Sequence, residues 1–146
     1  MRRYWLLGWV AAFGACAKAE SKLEEGASLP AFSLADVAGT WNMEAVRDSG
    51  GGVLATYQIG GTADPSTWTI TFPNRSPIPL RVTIDGDSLI TDAGPYESVL
   101  RAGVVVSTRA VSWLRDGKLT GKFVAKYATR MVDSVLTGRT EGIRAQ

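Results

Sequence analysis

From about residue 37 onward, apolar and polar positions alternate with a period of two. Trp68, Ile70 and Phe72 interleave with Thr67, Thr69 and Thr71, and Leu80, Val82 and Ile84 interleave with Arg81, Thr83 and Asp85. Leu119, Gly121, Phe123, Ala125 and Tyr127 alternate with Thr120, Lys122, Val124 and Lys126. Successive side chains of a strand point to opposite faces, so this pattern predicts strands that bury one face. Turn-forming residues punctuate the runs at Asp48 to Gly52, Gly60 to Pro65, Pro73 to Pro79, Asp85-Gly86, Asp92 to Pro95 and Asp116-Gly117. The two Asp-Gly pairs suit tight hairpins whose central residues both take positive φ. The spacing predicts eight strands near 40–47, 53–59, 67–72, 80–85, 88–92, 100–115, 118–128 and 132–142. No stretch of this region carries a long helical period.

Eight sequential strands joined by short turns form an all-β, antiparallel up-and-down meander. Such a sheet exposes sticky edges unless it closes on itself, so a small closed barrel is the expected architecture and a two-sheet sandwich the alternative. Gly103, Gly121 and Gly138 fall inside predicted strands, where they permit the coiling a small barrel needs. The length supports one hydrophobic core, hence one domain over residues 36–146.

The amino end has a different character. Arg2 and Arg3 precede 14 uncharged residues, Tyr4 to Ala17, before Lys18 ends the run. A spanning helix needs roughly 20 apolar residues, so the segment reads as an export signal over residues 1–15 and is left out of the fold. Its end, Gly14-Ala15-Cys16, resembles a bacterial lipoprotein cleavage site, which implies a lipid on Cys16. Ordinary cleavage after Ala15-Cys16-Ala17 is the alternative. Cys16 is the one cysteine, so no intramolecular disulfide can form. By the same resemblance, Ala17 rather than Asp after the cysteine implies the periplasmic side of the outer membrane; the alternative is a soluble periplasmic or secreted protein. Residues 16–35, rich in small and charged groups, read as a tether.

A second resemblance rests on Ser33-Leu34-Ala35-Asp36-Val37-Ala38-Gly39-Thr40-Trp41. Gly39-Thr40-Trp41 is similar to the Gly-x-Trp motif of lipocalins and related calycins, where a helical turn precedes the first strand. The resemblance implies that Trp41 closes the barrel's base and that a late-strand arginine stacks on its ring, Arg139 being the first candidate and Arg144 the second. Without it, Trp41 reads as an ordinary core aromatic.

Histidine is absent. That excludes Ser-His-Asp and Cys-His machinery and the usual zinc sets, and Cys16 at the signal junction supplies no thiol to the domain. Asp85, Asp87, Asp92 and Asp116 sit in predicted turns, where Asp bonds its own backbone. Gly50-Gly51-Gly52 is followed by no Lys-Ser or Lys-Thr and reads as a hairpin rather than a phosphate loop. No catalytic residue, metal or cofactor is assigned, and the chain is not read as an enzyme. Instead Trp41, Met43, Tyr57, Trp68, Phe72, Phe123 and Tyr127 share the inward parity and could line a cavity for a small apolar or amphipathic ligand. An eight-stranded barrel is either filled by its own side chains or holds one small ligand, and a cavity of roughly 300 Å³ or more separates the two.

Charge divides along the chain. Residues 16–100 carry 5 basic and 11 acidic groups, whereas residues 101–146 carry 9 and 3. Outward Arg109, Arg115, Lys118, Lys122 and Lys126 could therefore form one basic wall that meets anionic lipid or an acidic protein. Its alternative is a solvated surface without a partner; nucleic acid is not expected for an exported chain that is neutral once Arg2 and Arg3 are removed. The expected function is an exported, lipid-anchored binding module. The alternative is a filled barrel acting as an inhibitor or envelope-assembly accessory through its loops and basic face.

Overall fold

The computed structural model describes residues 31–130 and 132–146. The segment read as an export signal, Cys16 and the tether up to residue 30 lie outside the described residues. A short helix, α1 (Leu34–Val37), leads into eight strands: β1 (Gly39–Arg47), β2 (Val53–Gly61), β3 (Thr69–Thr71), β4 (Ile78–Asp85), β5 (Ser88–Glu97), β6 (Val105–Arg115), β7 (Lys118–Tyr127) and β8 (Val135–Arg144). Each strand pairs with its sequence neighbour, and β8 returns to pair antiparallel with β1, so the sheet is a closed up-and-down barrel. Phe32 and Leu34 pack against the core, so the folded unit begins ahead of residue 36.

The alternation along each strand sets which side chains enter the barrel. In β1, Trp41, Met43 and Ala45 are buried while Asn42 and Glu44 face water. The largest fully buried side chains, Trp41, Trp68, Leu89, Leu119 and Val37, gather in one cluster. Val106, Ala125 and Tyr127 form a second, smaller one. In a meander the connections alternate between ends. Those after β1, β3, β5 and β7 share one end, the mouth; both termini and the remaining connections share the other, the base, where the larger cluster reaches Val37 and Trp41.

Four expectations are corrected. Residues 98–104 are not strand: the Ser98 side chain accepts the Leu100 and Arg101 amides, and Gly103 takes φ +75, so β6 begins only at Val105. Asp92 to Pro95 is not a turn; β5 runs through it, with an irregularity between Ala93 and Tyr96 where register with β6 shifts. β3 is shorter than expected because a 3-10 turn at Pro65–Thr67, capped by the Asp64 side chain, occupies its start. Finally, only Asp116-Gly117 supplies two positive-φ central residues. Asp85 instead pairs with Ser88, which leaves Gly86 and Asp87 at the turn with only Gly86 at positive φ.

The short β3 leaves a gap in the wall. β2 pairs with β3 only through Gln58, Ile59 and Gly60, so Val53 to Tyr57 have no strand partner on that side. Arg75 pins the facing β3–β4 connection by donating to the carbonyls of Glu97 and Ser98.

Candidate ligand site within the barrel

The site is built from its floor. Trp41 is fully buried, and its Nε1 donates to the Val37 carbonyl at 2.8 Å. Arg144, directly opposite Trp41 in the β1–β8 register, places its guanidinium 4.4 Å from the ring centre. It also donates to the carbonyls of Ala38 and Asp36, tying α1 to the last strand. Gly39 is required here, since its φ is +118 and a side chain would press on the arginine. Arg139, the first candidate for this contact, instead pairs with Val46 and Lys122 on the exposed outer face.

Above the floor lies a partly open cavity of about 80 Å³ that extends to Val99 and Leu100 at the mouth. Met43, Tyr57, Phe72, Phe123 and Tyr127 line it. Trp68 does not: it is buried in the floor cluster against Gly61, with Nε1 donating to the Thr62 carbonyl at 2.8 Å. The volume falls well short of the roughly 300 Å³ typical of drug-sized ligands. It holds roughly six water-sized groups.

The walls are apolar or carry neutral hydroxyls, and among the described residues no acidic or basic side chain lines the cavity. Ser112, Gly121, Thr140 and Ala45 succeed one another across β6, β7, β8 and β1 as register partners. The Ser112 hydroxyl lies over Gly121, where a side chain would collide with it. Thr140 is buried, and its Oγ1 has no hydrogen-bond partner among the described residues. Burial of the Tyr57 hydroxyl, reinforced by Tyr96, raises its pKa far above the usual phenol value. Burial also raises Tyr96, and a hydrogen bond with Thr108 partly opposes this. Both phenols are therefore neutral.

Thr140, Ser112 and Tyr96 were not singled out from the sequence. Their signal is weak: small residues at inward parity, Thr108, Ala110 and Ser112 in β6 and Gly138, Thr140 and Gly142 in β8, leave space unfilled.

Phe72 separates the cavity from the gap in the wall. Its ring sits 5.6 Å from that of Tyr57 and 5.5 Å from that of Tyr96. It also lines two open clefts of about 650 and 500 Å³ beside β2.

The outer basic residues are unequal. Arg109 pairs with Asp92 at 3.2 Å, Arg115 with Asp87 at 2.9 Å and Lys118 with Glu141 at 3.0 Å. Arg115 holds the Asp87 carboxyl below its usual range. Lys122 and Lys126 have no such ion pair among the described residues, and Lys122 stands opposite Arg139 across β7 and β8. The expected wall of five cations thus reduces to Lys122 and Lys126, with Arg139 added. Among the described residues, no group of three or more acidic, His or Cys side chains could hold a metal. Compared with protein families, with curated proteins and with solved structures, the chain finds no match in any of the three.

Proposed function

We propose that the barrel is a binding module for one slender, uncharged amphiphile, with its polar head at Thr140 and Ser112 and its apolar tail directed to the mouth. The observation that carries this reading is the unpaired Thr140 Oγ1 in the cavity wall. A buried hydroxyl without a partner costs free energy that a ligand's hydroxyl or carbonyl would recover. A charged head is disfavoured because the cavity offers no counter-charge. The size selects a narrow chain over a fused ring system.

The test titrates the protein with 1-hexanol, hexanoate and hexane while following methyl NMR shifts of the cavity residues. 1-Hexanol should shift Thr140 and bind more tightly than hexanoate; failure of all three to perturb cavity residues overturns the reading. Native mass spectrometry of freshly purified protein should show a co-purified neutral molecule.

Export, a lipid on Cys16 and kinship with lipocalins belong to the same proposal. Arg2, Arg3 and the apolar run to Ala17 support export, and Gly39-Thr40-Trp41 beneath Arg144 supports the kinship. The mass of the mature amino terminus tests the lipid, since an unmodified chain starting at Lys18 excludes it. A second reading, an interaction protein working through its outer face, draws on Lys122 and Arg139, which stand side by side there and have no ion pair among the described residues. Recovery of an acidic protein that is lost with Lys122→Glu would favour it.

A further inference from the structure

The exposed large apolar residues are not scattered. Among the described residues, Val53, Val99, Leu100, Val105, Val132 and Val135 all lie in or beside the connections at the mouth, and only Val124 and Ile143 lie elsewhere. Single exposed apolar side chains are ordinary on a protein surface, but their concentration at one end of the barrel is not random scatter.

Charge follows the same axis. At the mouth, Arg47, Arg75, Arg101, Lys126 and Arg130 face three acids, Asp48, Glu97 and Asp133. At the base the balance reverses: Asp36, Asp64, Asp85, Asp87 and Asp116 outnumber Arg115, Lys118 and Arg144. Among the described residues, none of the three ion pairs involves a mouth cation. Two of these cations are held in place. Arg75 donates to backbone carbonyls of Glu97 and Ser98, and Arg101 lies 4.1 Å over the Tyr127 ring while donating to the Asp133 carbonyl. Their positions are fixed at the rim, and neither forms a side-chain ion pair among the described residues.

From these two coincident asymmetries we infer that the mouth docks on the surface of an anionic lipid bilayer. Apolar tips enter the boundary between headgroups and acyl chains, and the surrounding cations meet lipid phosphates. The acidic base is repelled, which orients the barrel mouth-down. Separate tips around an opening suit a deformable lipid surface, whereas a protein partner would call for one continuous patch. The docked cavity would open toward the acyl layer. This inference goes beyond the ligand reading and does not depend on it.

The test uses soluble protein beginning at Lys18, since all eight strands and their pairings lie within residues 39–144. It floats with mixed phosphatidylglycerol and phosphatidylcholine vesicles, less with phosphatidylcholine alone, and the difference shrinks as salt rises. Val99→Asn with Leu100→Asn should weaken anionic-vesicle binding about tenfold or more, given the area these side chains would bury. Lys126→Glu with Arg130→Glu should do the same. Ile143→Asn, equally apolar and exposed but remote from the mouth, should bind as wild type does. Circular dichroism establishes that each variant is folded, and the charge pair keeps the test open if the loop pair is not. Absence of vesicle binding overturns the inference. So does wild-type binding by both folded mouth variants, a loss for Lys122→Glu as large as for the mouth charges, or capture of an acidic protein by a mouth that ignores vesicles.

Discussion

The guanidinium of Arg144 lies 4.4 Å from the centre of the Trp41 ring while the indole nitrogen of Trp41 donates to Val37 on the turn that Arg144 also clasps. The two residues and α1 therefore form one closure of the barrel's base. Trp41→Phe combined with Arg144→Ala should show a coupling of about 0.5–2 kcal/mol in a double-mutant cycle measured by urea unfolding. Arg139→Ala should give no coupling with Trp41, because its side chain projects from the outer face.

Tyr57 makes stability sensitive to alkali. Its folded pKa lies above its unfolded value, with burial the main cause. The neutral form is favoured in the folded state, so the contribution is complete below pH of about 10, the unfolded value, and is lost as pH rises beyond it. Thermal melts should fall in midpoint above that pH. Tyr57→Phe should flatten the fall; an unchanged slope would assign it to other groups, Tyr96 first.

Strand positions were most legible where one face is continuously apolar, as in Leu80, Val82 and Ile84 of β4. The last strand was legible in position but not in its bounds: expected over residues 132–142, it runs Val135–Arg144, and because its inward side carries only Leu136 among Gly138, Thr140 and Gly142, no apolar run marks how far it extends. The longer strand brings Arg144, not Arg139, opposite Trp41. The run Val99, Leu100 and Val104 to Val106 looks like strand for a related reason: its first apolar members are exposed at the mouth. The aromatic lining of the cavity was legible from inward parity, as with Met43, Tyr57 and Phe72, but its polar patch was not, because it arises from small side chains on strands far apart in sequence and only the register brings Ser112 and Thr140 to either side of Gly121.

Interior glycines are space-makers. A Cβ at Gly138 would strike the Val46 carbonyl and the Phe123 ring. Gly138→Ala should destabilise the barrel by about 1–3 kcal/mol through overpacking. Gly52→Ala, with nothing near its Cβ position and no positive φ, should be neutral or slightly stabilising. Equal losses at both sites in chemical denaturation would contradict this account.

The open edge of β2 should be visible in hydrogen exchange. Amides of residues 53–57 directed away from β1 have no strand partner, whereas β6 and β7 pair without interruption from Val106↔Tyr127 to Arg115↔Lys118. Those β2 amides should exchange orders of magnitude faster than the β6–β7 amides, by the difference between local and global opening. Protection equal to that of β6 would mean the gap is closed in solution.

Thr140→Val separates the cost of the empty site from its use. In the unliganded barrel Thr140 Oγ1 is buried and unpaired, and valine replaces it with a group of the same shape. The variant should therefore be more stable than wild type by about 1 kcal/mol, the penalty of one unsatisfied hydroxyl at its low end. Binding should change in the opposite sense: 1-hexanol should lose about tenfold in affinity, the worth of one hydrogen bond at 1.4 kcal/mol per decade. Hexane, which offers no hydrogen bond, should bind both proteins alike. If valine destabilises the empty barrel, the hydroxyl already has a partner, and its role as the ligand's anchor falls. If valine stabilises the barrel yet leaves 1-hexanol binding intact, the cavity still accepts a chain but reads its head elsewhere, with Ser112 the next residue to test.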